Sequence, residues 1–450
     1  MNRFWPRILS FILLISSFLT EVRAQEGLNL KAYASPIRSI DPSDTNFSDL
    51  QGLKAAIGGA RIVLLGEQTH GEGSTFLAKT RVIKFLHERL GFDVLAFESG
   101  FYDCARIWSN VRNGGQLSDE VIGSLFYMYA SSKQMQPLFD YVQSGLGKAH
   151  SLVLAGFESQ HSGVKAKTDL FVDFEAFLKR KDPSLIDSAW KLFSRISVST
   201  FSSRGYRPGD EEKKIFFQKL QTLKQALKDD RPVTDSLMGA SGFWYQVVCS
   251  IESQTTRYWQ MTTGNEVSVR DRQMAENLIW LAEKAYPGKK IIVWAHNGHI
   301  AKDISSLGPV PPPGTDKAAA PSGMNQTATP PRAPSPGSAD AFVPMGATIH
   351  RHFGAQAYCI GFSGSEGSYM DYVNSHIIVV APKPVNSIEG SLAALGYNYA
   401  FLNYHHAPPA LQQQQQATLA DYMDMEGLWP DAFDGLFFIK NIFPVDRTGK

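Results

Sequence analysis

Apolar residues along this chain fall into two rhythms. Short unbroken runs occur at Arg61-Ile-Val-Leu-Leu-Gly66, Val94-Leu-Ala-Phe97, Leu152-Val-Leu-Ala-Gly-Phe157 and Ile291-Ile-Val-Trp-Ala295. Each is too short to span a membrane and reads as a buried strand. Each is also followed at once by a side chain that can do acid–base chemistry. Glu67 and His70 follow the first run, Glu98 the second, Glu158 the third, and His296 with His299 the fourth. Ligands of an open α/β sheet bind outside the carboxyl ends of its strands. If the four runs lie parallel and adjacent, these acids and imidazoles converge on one cleft.

The second rhythm is helical. Val82, Ile83, Leu86 and Leu90 recur at helical spacing between Ser74, a candidate cap, and Gly91, a stop signal. Strand, helix and strand then make a βαβ unit whose crossover should be right-handed. A shorter helix is expected near Leu50–Ile57, closed by Gly58-Gly59, and further helices across 102–148 with turns at Gly114-Gly115 and Gly145. From about 165 the strand signal vanishes and Phe171, Phe174, Phe177 and Leu178 take up helical spacing. Residues 165–262 are therefore expected to form a helical lobe inserted into the core, as one wall of the cleft. Another helix starts near Ser268, carries Met274, Leu278, Leu281 and Ala285 on one face, and ends at Pro287-Gly288. Residues 308–341, rich in Pro, Gly, Ser and Ala, cannot bury enough apolar surface to offset chain entropy and are expected to be a flexible loop. The glutamine run 412–416 is a second low-complexity patch, while 356–362, 377–381 and 435–439 read as strands. The expected fold class is α/β: a three-layer core with a mostly parallel sheet and an inserted helical lobe.

Composition narrows the class. A chain of 450 residues, 43% hydrophobic and 19% charged, is globular rather than fibrous or disordered. Its net charge of +1 argues against nucleic acid as a partner. Arg3 and Arg7 ahead of the apolar run Ile8–Leu19, with Val22 and Ala24 before Gln25, read as a secretory signal peptide over 1–24. An uncleaved amino-terminal anchor is the alternative. The mature chain, 25–450, is expected to be periplasmic or extracellular without a stable membrane anchor. Only Cys104, Cys249 and Cys359 occur, which excludes a disulfide scaffold and thiolate zinc sites. Glu72 and His161 are expected to be surface or capping groups, and His405-His406 exposed loop residues.

Histidines beside carboxylates suit general acid–base catalysis. The chain lacks a Gly-x-Ser-x-Gly elbow, a P-loop, His-Glu-x-x-His, and Gly-x-Gly-x-x-Gly after a strand, so water activated directly by a histidine is the simpler reading. Two alternatives stay open: a metal-dependent hydrolase using Glu67, His70, Glu98 and His296 as ligands, and an exported protein that binds a small ligand in the same cleft without catalysis. Oligomeric state is not written in residue order.

Four motifs carry a resemblance. Gly66-Glu67-Gln68-Thr69-His70-Gly71, Leu90-Gly-Phe-Asp-Val-Leu-Ala-Phe-Glu98, Arg270-Asp-Arg-Gln-Met-Ala-Glu-Asn277 and Trp294-Ala-His-Asn-Gly-His299 together resemble the erythromycin esterase family. The likeness runs through Met345-Gly346 and Ser387–Ser391 to about Phe443 and spares 308–341. It implies an α/β core with an inserted helical region, and an ester or macrolactone hydrolase that needs no cofactor. Carried over by motif, His70 would be the general base with Glu67 beside it, Glu98 would hold the imidazoles, and His296 and Arg272 would orient substrate or stabilise the oxyanion. His299 and Glu158 are the substrate-binding candidates. Glu158 departs from the family's expected Asp.

Overall fold

The computed structural model describes residues 28–234, 236–259, 266–310, 342–406 and 409–448. The expected signal peptide and residues 311–341 of the expected loop lie outside the described residues. Twelve strands are described: β1 (Ala34–Ile37), β2 (Ile62–Leu65), β3 (Val94–Gly100), β4 (Val153–Glu158), β5 (Ile291–Trp294), β6 (Gly308–Pro309), β7 (Ala357–Met370), β8 (Ile377–Val380), β9 (Tyr399–Asn403), β10 (Gln415–Thr418), β11 (Asp424–Gly427) and β12 (Gly435–Ile442).

The main sheet runs β1-β9-β12-β7-β2-β5-β3-β4, with β8 paired to the far end of β7. From β12 to β4 every pairing is parallel. The edge strands β9 and β1 are antiparallel. The four apolar runs are therefore neighbours, in the order β2-β5-β3-β4, and all point the same way. Their hydrophobicity on both faces has a direct cause. Ile62, Leu64, Val94, Ala96, Ile291 and Val293 pack into one core layer, while Val63, Leu65, Leu95, Phe97, Ile292 and Trp294 pack into the other. A sheet covered on both faces cannot alternate apolar and polar residues.

Helix Gly73–Leu90 links β2 to β3 and ends at Gly91, whose φ of 68° is the left-handed conformation that glycine adopts without strain. Ser74 is not its cap: it lies within the first turn, and its hydroxyl donates to Glu72. The elements described between β4 and β5 are all helices, including Leu170–Lys181, Trp190–Ser202, Asp210–Leu227, Ser241–Trp259 and Glu266–Trp280. Their aromatic side chains stack densely, with Phe174 and Trp244 4.6 Å apart and parallel. The glutamine run departs from expectation, since Gln415 and Gln416 begin β10 and pair with β11. Among the described residues no helix is long and apolar enough to cross a membrane.

The loop after β2 is clamped from above by the β7–β8 hairpin, through Met370 N–H donating to Gly71 carbonyl oxygen at 3.0 Å. A Cβ on Gly71 would stand 1.7 Å from the Met370 carbonyl oxygen, whereas one on Gly59 would meet nothing within 4 Å. Gly71→Ala should therefore destabilise the protein by about 1–3 kcal/mol or more in denaturant unfolding, while Gly59→Ala stays within about 0.5 kcal/mol of wild type.

Candidate active site

The loop that leaves β2 places Glu67 directly beneath the cleft, fully buried. A buried carboxylate survives only if its charge and lone pairs are answered. Glu67 has four donors. His70 Nδ1 lies 2.7 Å and Tyr129 hydroxyl 2.7 Å from Oε1. Lys79 Nζ lies 2.9 Å and Trp294 Nε1 2.9 Å from Oε2. Burial alone would raise the Glu67 pKa, but Lys79 and His70 outweigh it and lower it. Lys79 is itself pushed down to about 8 by burial, with Glu67 opposing that shift, and sits 4.1 Å above the Trp294 ring.

An ionised Glu67 can only accept, so the His70 proton lies on Nδ1 and Nε2 is left as a base. The ring is 13% exposed. Phe126 at 4.8 Å and Tyr372 at 5.1 Å between ring centroids flank it, and His296 lies 5.4 Å away.

His296 is held differently. Its Nε2 donates to the Gln68 carbonyl at 2.7 Å, and its Nδ1 accepts from Gly298 N–H at 3.1 Å, capping the turn Asn297–Ile300. Burial, then the His70 and His299 imidazoles, push its pKa down to about 4. It is a neutral ring with both nitrogens engaged, so it positions the loop after β2 and has no donor to spare for substrate in this geometry. Gln68 is fixed in turn by Ser363 and Thr418, which Glu389 supports from below.

Beside His296 lies a second charged group. Arg270 Nη2 donates to Glu98 Oε1 at 2.7 Å, and Nε donates to Glu158 Oε2 at 2.8 Å, with a further short contact from Nη2 to the same oxygen. Glu98 Oε2 accepts the His296 backbone N–H at 2.9 Å. Burial would raise Glu98, but His299, Arg270 and His70 hold it well below the usual carboxylate range. Burial would lower the His299 pKa, yet Asp271 and Glu98 raise it. Arg270 Nη1 and Glu98 Oε1 both lie near its Nε2, at 2.8 Å and 3.3 Å, and its Nδ1 faces Asp271 at 2.8 Å.

Glu67, His70, Glu98, Glu158, His296 and His299 are thus brought to one edge of the sheet, and Arg272 is not. Arg272 is exposed on helix Glu266–Trp280, and Arg270 occupies the cleft. Two residues on a helix stand about 200° apart. The apolar face at Met274 and Leu278 was the available signal, because Arg270 is one turn before Met274. Tyr129 and Lys79 were missed because neither sits at a strand end. Glu72 and His161 are not surface groups: both are buried, Glu72 at the N-cap position of helix Gly73–Leu90 and accepting from Thr75 and Tyr422, His161 edge-on to Phe201 with no partner for either ring nitrogen among the described residues. His405 is exposed, with Nε2 2.8 Å from Asp434.

The four residues of a metal reading fit it poorly. Both Glu67 oxygens, both Glu98 oxygens and both His296 nitrogens are engaged, which leaves His70 Nε2 alone free. Among the described residues no group of three or more His, Cys, Asp or Glu converges as a ligand set.

The sequence profile of the erythromycin esterase family matches residues 87–442. The chain belongs to the erythromycin esterase family. It is 26% identical to YbfO of Bacillus subtilis, provisionally named a hydrolase, over 97% of this chain and 96% of that protein. It is 22% identical to the erythromycin esterase type II of Escherichia coli, over 88% of this chain and 93% of that one. A solved erythromycin esterase mutant in its open conformation shares the fold, with a TM-score of 0.65 and 18% identity across 92% of this chain and 98% of that one. Family membership supports a hydrolase.

Arg270→Ala would leave Glu98 and Glu158 buried without their cation, and should cost about 3–5 kcal/mol in denaturant unfolding. Arg272→Ala should stay within about 0.5 kcal/mol of wild type. Equal effects of the two would contradict the assignment of Arg270 to the cleft.

Proposed function

We propose that this protein hydrolyses a carboxylic ester or macrolactone with water activated by His70. The observation that carries the reading is the 2.7 Å contact between Glu67 and His70 Nδ1, which leaves Nε2 of a part-exposed imidazole without a hydrogen-bond partner among the described residues. Nε2 takes a proton from water as the water oxygen attacks the acyl carbon. Glu67 behind the ring and Glu98 beside it offset the charge of the imidazolium. The Arg270 cation draws the carbonyl oxygen and opposes the charge that develops on it. Collapse of the tetrahedral centre breaks the bond to the alcohol oxygen, and His70 returns its proton to that oxygen. One water is consumed, and an acid and an alcohol are released.

The name of the type II esterase makes a macrolide the first substrate to try. We also propose, from the amino-terminal pattern, that the protein acts outside the cytoplasm. The test is incubation with macrolides, simpler lactones and acyclic esters, read by mass spectrometry. Gain of one water by a lactone, or cleavage of an ester, is expected. His70→Ala should lower the rate by about 10²–10⁴-fold while the fold is kept. Undiminished turnover by that variant would contradict the mechanism.

A further inference from the structure

Around Tyr258 the protein carries two guanidinium groups, Arg257 and Arg204, that no carboxylate pairs among the described residues. Arg257, in helix Ser241–Trp259, is half-buried and forms no ion pair among the described residues. Its Nη1 donates to the Gln160 amide oxygen at 2.9 Å, in the amide orientation that satisfies both neighbours, and the same oxygen accepts from Arg270 Nε at 2.9 Å. The other amide atom lies 3.3 Å from the Tyr258 hydroxyl. Arg257 stands 5.8 Å and Arg204 5.9 Å from the Tyr258 ring centroid. Arg204 is exposed, just past helix Trp190–Ser202, and is likewise unpaired among the described residues.

The balance of charge favours an anion there. Burial lowers the Arg257 pKa and the neighbouring Arg270 and Arg204 cations lower it further, while Glu158, already shared with Arg270, opposes them. A chain of side-chain contacts links the location to the reacting centre. His70 neighbours His296 at 5.4 Å, His296 neighbours His299 at 6.3 Å, His299 contacts Arg270 at 2.8 Å, and Arg270 shares Gln160 with Arg257. Arginine's planar fork suits two-point recognition of a carboxylate.

We propose that Arg257, with Arg204 beside it, forms an anion subsite of the cleft, and that the natural substrate is an ester that also bears a carboxylate. This rests on the ester-hydrolysis reading. The carboxylate would supply the counterion that Arg257 lacks among the described residues, and would hold the ester end toward His70.

The experiment compares mono-p-nitrophenyl succinate with p-nitrophenyl butyrate, which differ chiefly in the terminal charge. Wild type should favour the succinate, and raised salt should erode that preference. The ratio of the two kcat/KM values should fall by about 10–100-fold in Arg257→Gln, and less in Arg204→Ala, which alters only an exposed side chain. No preference in wild type, or a ratio unchanged in both variants, overturns the subsite. Cleavage of neither ester by wild type counts against the hydrolase reading instead, and calorimetry with succinate then judges the subsite alone. Binding lost in Arg257→Gln supports it, and equal or absent binding in both proteins overturns it.

Discussion

A single ionised carboxylate, Glu67, sets the terms for the rest of this fold. It is shut away from water, so it has to be matched by a cation and by donors that saturate its oxygens. Those partners come from widely separated parts of the chain: His70 from the same loop, Lys79 from the following helix, Tyr129 from the short helix Tyr127–Ser131, and Trp294 from the end of β5. Satisfying one group therefore fixes β2 against β5 and fixes the helical crossover against both. The same arrangement decides the chemistry, since saturation of Glu67 dictates which nitrogen of His70 is protonated and which one is left as a base.

The second charged group is arranged by the same principle. Arg270 answers Glu98 and Glu158, which arrive on β3 and β4, and so ties the helical segment between β4 and β5 to the strand ends. His296 occupies the space between the two groups as a neutral spacer, its nitrogens spent on backbone. The cleft thereby holds two imidazoles of different character within 5.4 Å, one open to solvent and one locked.

Much of this was legible in residue order, for a physical reason. A parallel strand covered on both faces must be apolar throughout, so β2, β3, β4 and β5 announced themselves, and the polar residues that ended them marked the functional edge. The antiparallel strands β1 and β9 did not, because Ser35 and Pro36 break the apolar pattern in one and Tyr399 and Asn403 bound the other at the rim of the sheet. β10 hid within a glutamine run because its pairing depends on β11 rather than on its own composition. The motif pointed to Arg272 rather than Arg270, and only the phase of the helix chose between them. Tyr129 and Lys79 were invisible for a further reason: their importance lies in which buried charge they touch, and that is a property of the tertiary fold. The buried Glu72 shows the converse, a polar residue in a surface-like motif drawn inside by Tyr422 across 350 positions of sequence.

The most direct test of the central claim is kcat/KM of Glu67→Gln for an ester that the wild-type protein cleaves, taken with its thermal unfolding curve. The substitution keeps the shape of the side chain and removes its charge. A fall of about 10²–10⁴-fold in kcat/KM, in a protein that still unfolds cooperatively, is the predicted result. Near-wild-type turnover would show that the imidazole does not depend on this carboxylate, and would contradict the account.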